Sequence, residues 1–186
     1  TSTSSEGTPR EMMNAGQTCT APDYVYVEAS VEQKLVEALE REFTTLTQDA
    51  LQNDDLPKII DQKAFDRLIG YIDRHDDKWG GEYNPSTRII QPALLLNAKE
   101  TDPSMQSEIF GPILPILRFD DFEELLTRLC ANEKPLALYF FSSDPTHIAR
   151  IQNTVSFGGG CINDTIMHIT HHRLPFGGVG NSGIGH

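Results

Sequence analysis

Cysteine is scarce in this sequence, with Cys19, Cys130 and Cys161 spread over 186 residues. An odd, widely spaced set forms neither a disulfide framework nor a zinc-ligand pattern. It points instead to free thiols in a reducing, cytoplasmic setting. Basic residues are also few: 15 Lys and Arg stand against 27 Asp and Glu, a formal net charge of −12. Binding to phosphate backbones needs concentrated positive charge, so nucleic acid and anionic membrane surfaces are excluded as partners. Long apolar runs are missing too. No stretch approaches the ~20 residues of a membrane-spanning helix, and no charged start with an apolar middle marks a signal peptide. What is present is a globular balance of 38% apolar and 23% charged residues, in a chain long enough for one domain with a core.

Residues 1–9 are rich in Ser and Thr, lack an apolar period and read as a floppy extension; the domain proper runs over 10–186. Tyr24 to Glu28 is a strand by its β-branched and aromatic content. Ser30 with Gln33 forms a capping box for a helix whose stripe is Val31, Leu35, Leu39 and Phe43. A second helix, about Asp61 to Arg74, puts Phe65, Leu68, Ile69 and Ile72 on one face, and Gly80-Gly81 breaks the pattern. Arg88 to Leu96 is a mostly apolar strand in which Pro92 marks an edge or a bulge. Ile113 to Phe119 is a strand, Phe122 to Asn132 an amphipathic helix, Leu136 to Ser142 a buried strand, and Asp144 to Val155 a helix. Apolar strands alternating with helices predict an α/β fold: a three-layer, open, mostly parallel sheet with helices on both faces.

Chemistry concentrates in two places. Asn14-Ala15-Gly16-Gln17-Thr18-Cys19-Thr20-Ala21-Pro22-Asp23-Tyr24 sets one Cys among small and polar residues between Gly16 and Pro22. That is poor core sequence and good loop sequence, and it is the setting of the three cysteines that could keep a thiolate reachable. The last third is glycine-dense. Gly178-Val179-Gly180-Asn181-Ser182-Gly183 formally fits G-x-G-x-x-G, but that motif needs a following helix to hold a pyrophosphate. Only three residues follow Gly183, so a loop lining the mouth of the Cys19 site is the better reading. His168, His171 and His172 have no carboxylate or Cys at ligand spacing, and no metal site is expected.

The Cys19 segment resembles the nucleophile segment of the aldehyde dehydrogenase family, and its Ala-Pro-Asp-Tyr continuation resembles the class-three branch. Glu108-Ile109-Phe110-Gly111-Pro112 is similar to the family's Glu-x-Phe-Gly-Pro element. Leu174-Pro175-Phe176-Gly177-Gly178 with Asn181-Ser182-Gly183 is similar to its C-terminal block, and Lys134-Pro135-Leu136-Ala137-Leu138-Tyr139 also fits the branch. The resemblance implies that Cys19 attacks an aldehyde to give a thiohemiacetal, which hydride loss to NAD or NADP converts to a thioester. The backbone N–H of Cys19 would form part of the oxyanion hole. Glu108 would accept hydrogen bonds from the nicotinamide ribose, Phe110 and Phe176 would wall the nicotinamide, and Asn163 and His171 would line the substrate end.

The same comparison implies that the family's nucleotide-binding domain, general-base Glu, oxyanion-hole Asn and C-terminal tail are not in this sequence. Little dehydrogenase turnover and weak or absent NAD(P) binding are therefore expected of the chain alone. Two alternatives stand beside dehydrogenation: cofactor-free thiol esterase action through Cys19, and a non-catalytic remnant. In that remnant, an exposed sheet edge or apolar surface would favour a homo-oligomer.

Overall fold

In the computed structural model, residues 14–47, 51, 56–167 and 176–183 are described. They fall into two compact units, 1–120 and 121–186. The extension over residues 1–9 lies outside the described residues.

The first unit is built on a four-stranded sheet. Its strands are β1 (Val25–Glu28), β2 (Lys78–Gly80), β5 (Ala93–Leu95) and β6 (Ile113–Phe119), in the order β1-β6-β5-β2. β6 runs parallel to both β1 and β5, and β2 runs antiparallel to β5. Two further short strands, β3 (Tyr83–Asn84) and β4 (Ile89–Ile90), form an antiparallel pair.

Strand alternation divides the apolar residues between the sheet's faces. Val27, Leu94, Leu114 and Ile116 join one cluster with Phe43, while Ala93, Leu95 and Ile113 join another with Phe65, Leu68 and Ile72. Phe43 belongs to helix α1 (Glu32–Thr47); Phe65, Leu68 and Ile72 belong to helix α2 (Gln62–Arg74). Opposite faces of one sheet are therefore each covered by a helix. The three layers with helices on both faces are present in this unit, and the sheet is open and mixed.

Local chemistry explains the boundaries and three departures from expectation. α2 starts where Asp61 Oδ1 accepts the Ala64 N–H at 2.7 Å. The expected capping box at α1 is not seen: the Ser30 hydroxyl donates to Glu28 Oε1, and Gln33 Nε2 donates to Glu37 Oε1. Val31 precedes that helix and is 46% exposed, so it does not belong to the stripe. The run Arg88 to Leu96 is two strands, since Pro92 has no N–H for a ladder. β4 before it pairs with β3, and β5 after it lies inside the main sheet. Pro92 thus marks a change of sheet, with Gly80 folded against its carbonyl oxygen so closely that a Cβ would collide with it.

In the second unit, β7 (Ala137–Phe140) and β8 (Gly159–Ile162) pair in parallel. Leu138 and Phe140, on one face of β7, pack on Leu126 of helix α3 (Phe122–Ala131) and Ile151 of helix α4 (Pro145–Thr154). Asp121 and Asp144 cap these helices through the N–H groups of Glu124 and Thr146. The strand expected over Leu136 to Ser142 is shorter than expected and half-buried rather than buried, and Phe141 beyond it is 60% exposed. Among the described residues, no helix is long and apolar enough to cross a membrane.

Candidate active site

The loop before Cys19 begins with three successive left-handed residues, Asn14 (φ 51°), Ala15 (φ 53°) and Gly16 (φ 68°). Left-handed backbone costs an L-residue roughly 1–2 kcal/mol, so the surroundings must hold this turn in place. Gln17 does much of that. Its buried side-chain amide donates to the carbonyls of Asn14 (3.1 Å) and Lys58 (3.2 Å) and accepts the Ile60 N–H (3.0 Å). Asn14 Nδ2 returns a bond to the Gln17 carbonyl. Gly16 lies directly against the Gly111 carbonyl, where a Cβ would collide. Cys19 follows at the second position of a turn closed by the Ala21 N–H on Thr18 O at 3.1 Å, and it is exposed.

Glu108 and Phe110 lie on the segment that Gly16 abuts. Asp23 Oδ1 accepts the Ile109 N–H at 2.8 Å. From helix α2, the Arg67 guanidinium donates to the carbonyls of Ile109 (2.7 Å) and Glu108 (3.3 Å). The Ile109 side chain is buried, Glu108 is exposed, and Phe110 is left-handed (φ 50°) and 36% exposed. One fixed stretch of backbone therefore offers a carboxylate and an aromatic ring to solvent. Ribose hydroxyls suit such a carboxylate, which accepts two hydrogen bonds, and a planar ring suits an apolar wall.

Asp23 is the electrostatically unusual group. Burial pushes its carboxyl up to about 6, and the neighbouring Glu108 charge adds to that. The N–H groups of Ile109 and Phe110 and the Arg67 charge pull the other way without prevailing. The Tyr24 phenol beside it is raised, by burial first and then by the charges of Asp23 and Glu100. Burial also raises Tyr71, but hydrogen bonds to Ser107 and Arg67 outweigh it and leave that phenol lowered.

Of the residues singled out in the sequence, Cys19, Glu108 and Phe110 are thus in the first unit, with the loops that carry them packed together. Asn163 and Phe176 are in the second. Asn163 is left-handed (φ 56°), and its side chain bonds both the N–H and the carbonyl of Ser142. Phe176 is 55% exposed. His171, with His168 and His172, lies outside the described residues. In the glycine block, Val179 N–H donates to Ser182 Oγ at 2.8 Å and 180–182 is a single tight turn. Among the described residues, no group of three or more His, Cys, Asp or Glu could hold a metal ion.

Sequence reasoning missed Gln17, Asp23 and Arg67. The first two stand inside the quoted Cys19 segment, where a Gln and an Asp among small residues were a usable sign of local hydrogen bonding. Nothing in the sequence pairs Arg67 with Glu108.

Residues 3–186 match the aldehyde dehydrogenase family. The rat "aldehyde dehydrogenase, dimeric NADP-preferring" is 42% identical over 176 residues, covering 94% of this chain and 39% of the relative. The 4,4'-diaponeurosporen-aldehyde dehydrogenase of Staphylococcus aureus is 44% identical over 92% of this chain and 38% of its own length. A substrate-bound structure of Staphylococcus aureus AldH superposes with a TM-score of 0.89 at 39% identity, covering 96% of this chain and 40% of that one. The chain thus spans about two fifths of the length of these relatives. A match running from residue 3 to residue 186, over a Cys19 loop fastened to the Glu108 segment, makes this chain a member of the aldehyde dehydrogenase family.

Proposed function

We propose that the chain supplies the nucleophile of an NAD(P)-dependent aldehyde dehydrogenase, with Cys19 as the attacking thiol. The observation that carries this is the exposed Cys19 on a loop seated against the Glu108–Pro112 segment through Gly16 and Asp23. Cys19 Sγ adds to the aldehyde carbon to form a thiohemiacetal, and the developing oxyanion takes a hydrogen bond from the Cys19 backbone N–H. Bound NAD or NADP supplies the hydride acceptor. Glu108 would accept hydrogen bonds from the nicotinamide ribose, and Phe110 would exclude water beside the ring. The acyl group stays on Cys19 Sγ until water releases the carboxylic acid.

With about two fifths of the relatives' length, the 186-residue chain by itself binds NAD(P) weakly, at millimolar concentrations, and turns over little. The relatives favour dehydrogenation over cofactor-free ester hydrolysis.

The test is alkylation by iodoacetamide, read residue by residue by mass spectrometry. Benzaldehyde or hexanal should slow labelling of Cys19 and leave Cys130 and Cys161 unchanged. Equal protection of all three thiols, or none at Cys19, rejects the assignment. Oxidation of either aldehyde by the purified chain, at the rates of ordinary enzymes, rejects the claim of low turnover.

A further inference from the structure

The backbone of Glu108–Phe110 is gripped from both sides. Asp23 takes the Ile109 N–H and faces the Phe110 N–H, while Arg67 takes the carbonyls of Glu108 and Ile109. Donor and acceptor groups of one short segment are thus held by two side chains of opposite charge. The residue they hold in a left-handed conformation is Phe110, a bulky residue that rarely adopts it. Left-handed backbone of this kind persists only where the surroundings fix it.

A plain structural need does not explain the choice of Asp. A neutral Asn would accept the Ile109 N–H without the cost of burying a charge. The carboxylate at position 23 is half-buried, beside Glu108, and destabilised in its ionised form. What charge adds is grip, since a hydrogen bond to an ionised acceptor is roughly twice as strong as a neutral one. The groups facing this carboxylate are Glu108, Arg67, Tyr24 and Tyr71. Only Arg67 among them carries positive charge, and it is also the residue that holds the opposite side of the segment.

We propose that Asp23 and Arg67 are positioning residues that lock the Glu108–Phe110 backbone, so that the Glu108 carboxylate and the Phe110 ring are presented to the nicotinamide riboside in fixed register with the Cys19 loop. This rests on the cofactor role given to Glu108 and Phe110 above. A lock of this kind makes an unusual demand: ionising Asp23 tightens the segment locally while lowering the stability of the whole fold.

The experiment is amide hydrogen exchange by NMR on the 186-residue chain between pH 5 and 8, expressed as protection factors, with unfolding by urea measured alongside. An opening that breaks the Ile109 and Phe110 bonds but leaves Asp23 in place removes the two bonds that lower its pKa, so in wild type protection at both residues should rise several-fold as pH passes upward through about 6, while global stability does not rise with it. Asp23→Asn should abolish that pH step and retain partial protection at Ile109. Arg67→Met should lower protection at Ile109 about tenfold, and Arg67→Lys should restore part of it. Protection at Ile109 that does not change with pH in wild type, or that moves in parallel with global stability, overturns the proposal. A second arm adds millimolar NAD or NADP and follows the Glu108 and Phe110 signals. Shifts at both that shrink in Asp23→Asn support presentation to the cofactor. An intact pH step with no dinucleotide response at either residue overturns the cofactor role instead, which separates failure of the lock from failure of the reading it rests on.

Discussion

Asp23 Oδ1 and the Ile109 N–H meet at 2.8 Å across a sequence separation of 86 residues. That bond ties the nucleophile segment to the Glu108 segment at a group with a raised pKa. A carboxyl raised to about 6 in the fold holds its proton more tightly there than in the unfolded chain. Stability from this group therefore falls as pH rises from about 4 to 6, and above that its ionised form is a fixed cost. A shift of about two pH units corresponds to about 3 kcal/mol at most, reduced by partial solvent access to about 1–2 kcal/mol. Asp23→Asn is expected to raise stability by that amount at pH 7.5 and to match wild type near pH 4. Urea denaturation at both pH values checks this; equal stability of the two proteins at pH 7.5 would contradict it.

Gly16 combines a φ of 68° with a position directly against the Gly111 carbonyl. Gly16→Ala is expected to cost about 2–3 kcal/mol, from overpacking and from left-handed strain together. The readout is the urea midpoint. A loss below half a kcal/mol, about what a featureless surface site gives, would mean that the two loops separate at little cost.

Gln17 satisfies two carbonyls and one N–H with a single buried amide. Gln17→Ala leaves the Ile60 N–H and the Lys58 carbonyl without that partner, at an expected cost of about 2–3 kcal/mol. Because the same amide holds the loop before Cys19, iodoacetamide should label Cys19 at a changed rate in this variant, with Cys130 as the internal reference. Unchanged Cys19 labelling in a destabilised protein would show that the turn over 18–21 keeps its shape unaided.

Phe110→Gly separates stability from function. Glycine relieves a left-handed φ of 50°, a gain of roughly 1 kcal/mol, against a loss of roughly 1–2 kcal/mol for the buried part of a ring that is 36% exposed. The variant should lie within about 1 kcal/mol of wild type, less than a buried Phe loses on truncation, while dinucleotide-induced shifts at Glu108 weaken. Thermal unfolding and the NMR titration read the two effects independently.

Much of the fold was legible because the elements announce themselves locally. Ile113–Phe119 is an apolar run between Pro112 and Asp120, and both ends match the expectation. Asp61, Asp121 and Asp144 cap the helices that follow them. Reading failed at Ser30, whose hydroxyl turns to Glu28 instead of capping the helix. It also failed where one apolar run served two sheets, as at Pro92. Resemblance singled out Cys19, Glu108 and Phe110, whose loops the structure packs together, whereas the contacts of Gln17 and Asp23 were not legible. Their partners, at Lys58, Ile60 and Ile109, are too far along the chain for any local period to reveal.

The parallel pairing of β1 with β6, which sets Val25 opposite Ile116, has a consequence for how the molecule comes into being. About half the chain separates those strands, and non-local parallel pairings form slowly because long loops must close before any contact repays them. During synthesis β1 emerges before β6 and waits without that neighbour. The same delay applies to the Gly16–Gly111 and Asp23–Ile109 contacts, so the thiol of Cys19 acquires its setting only once the segment near residue 110 has arrived. A nascent chain therefore carries an accessible cysteine well before it has a shaped site, and because Cys19 stays exposed in the fold, folding gives that thiol a setting rather than a cover.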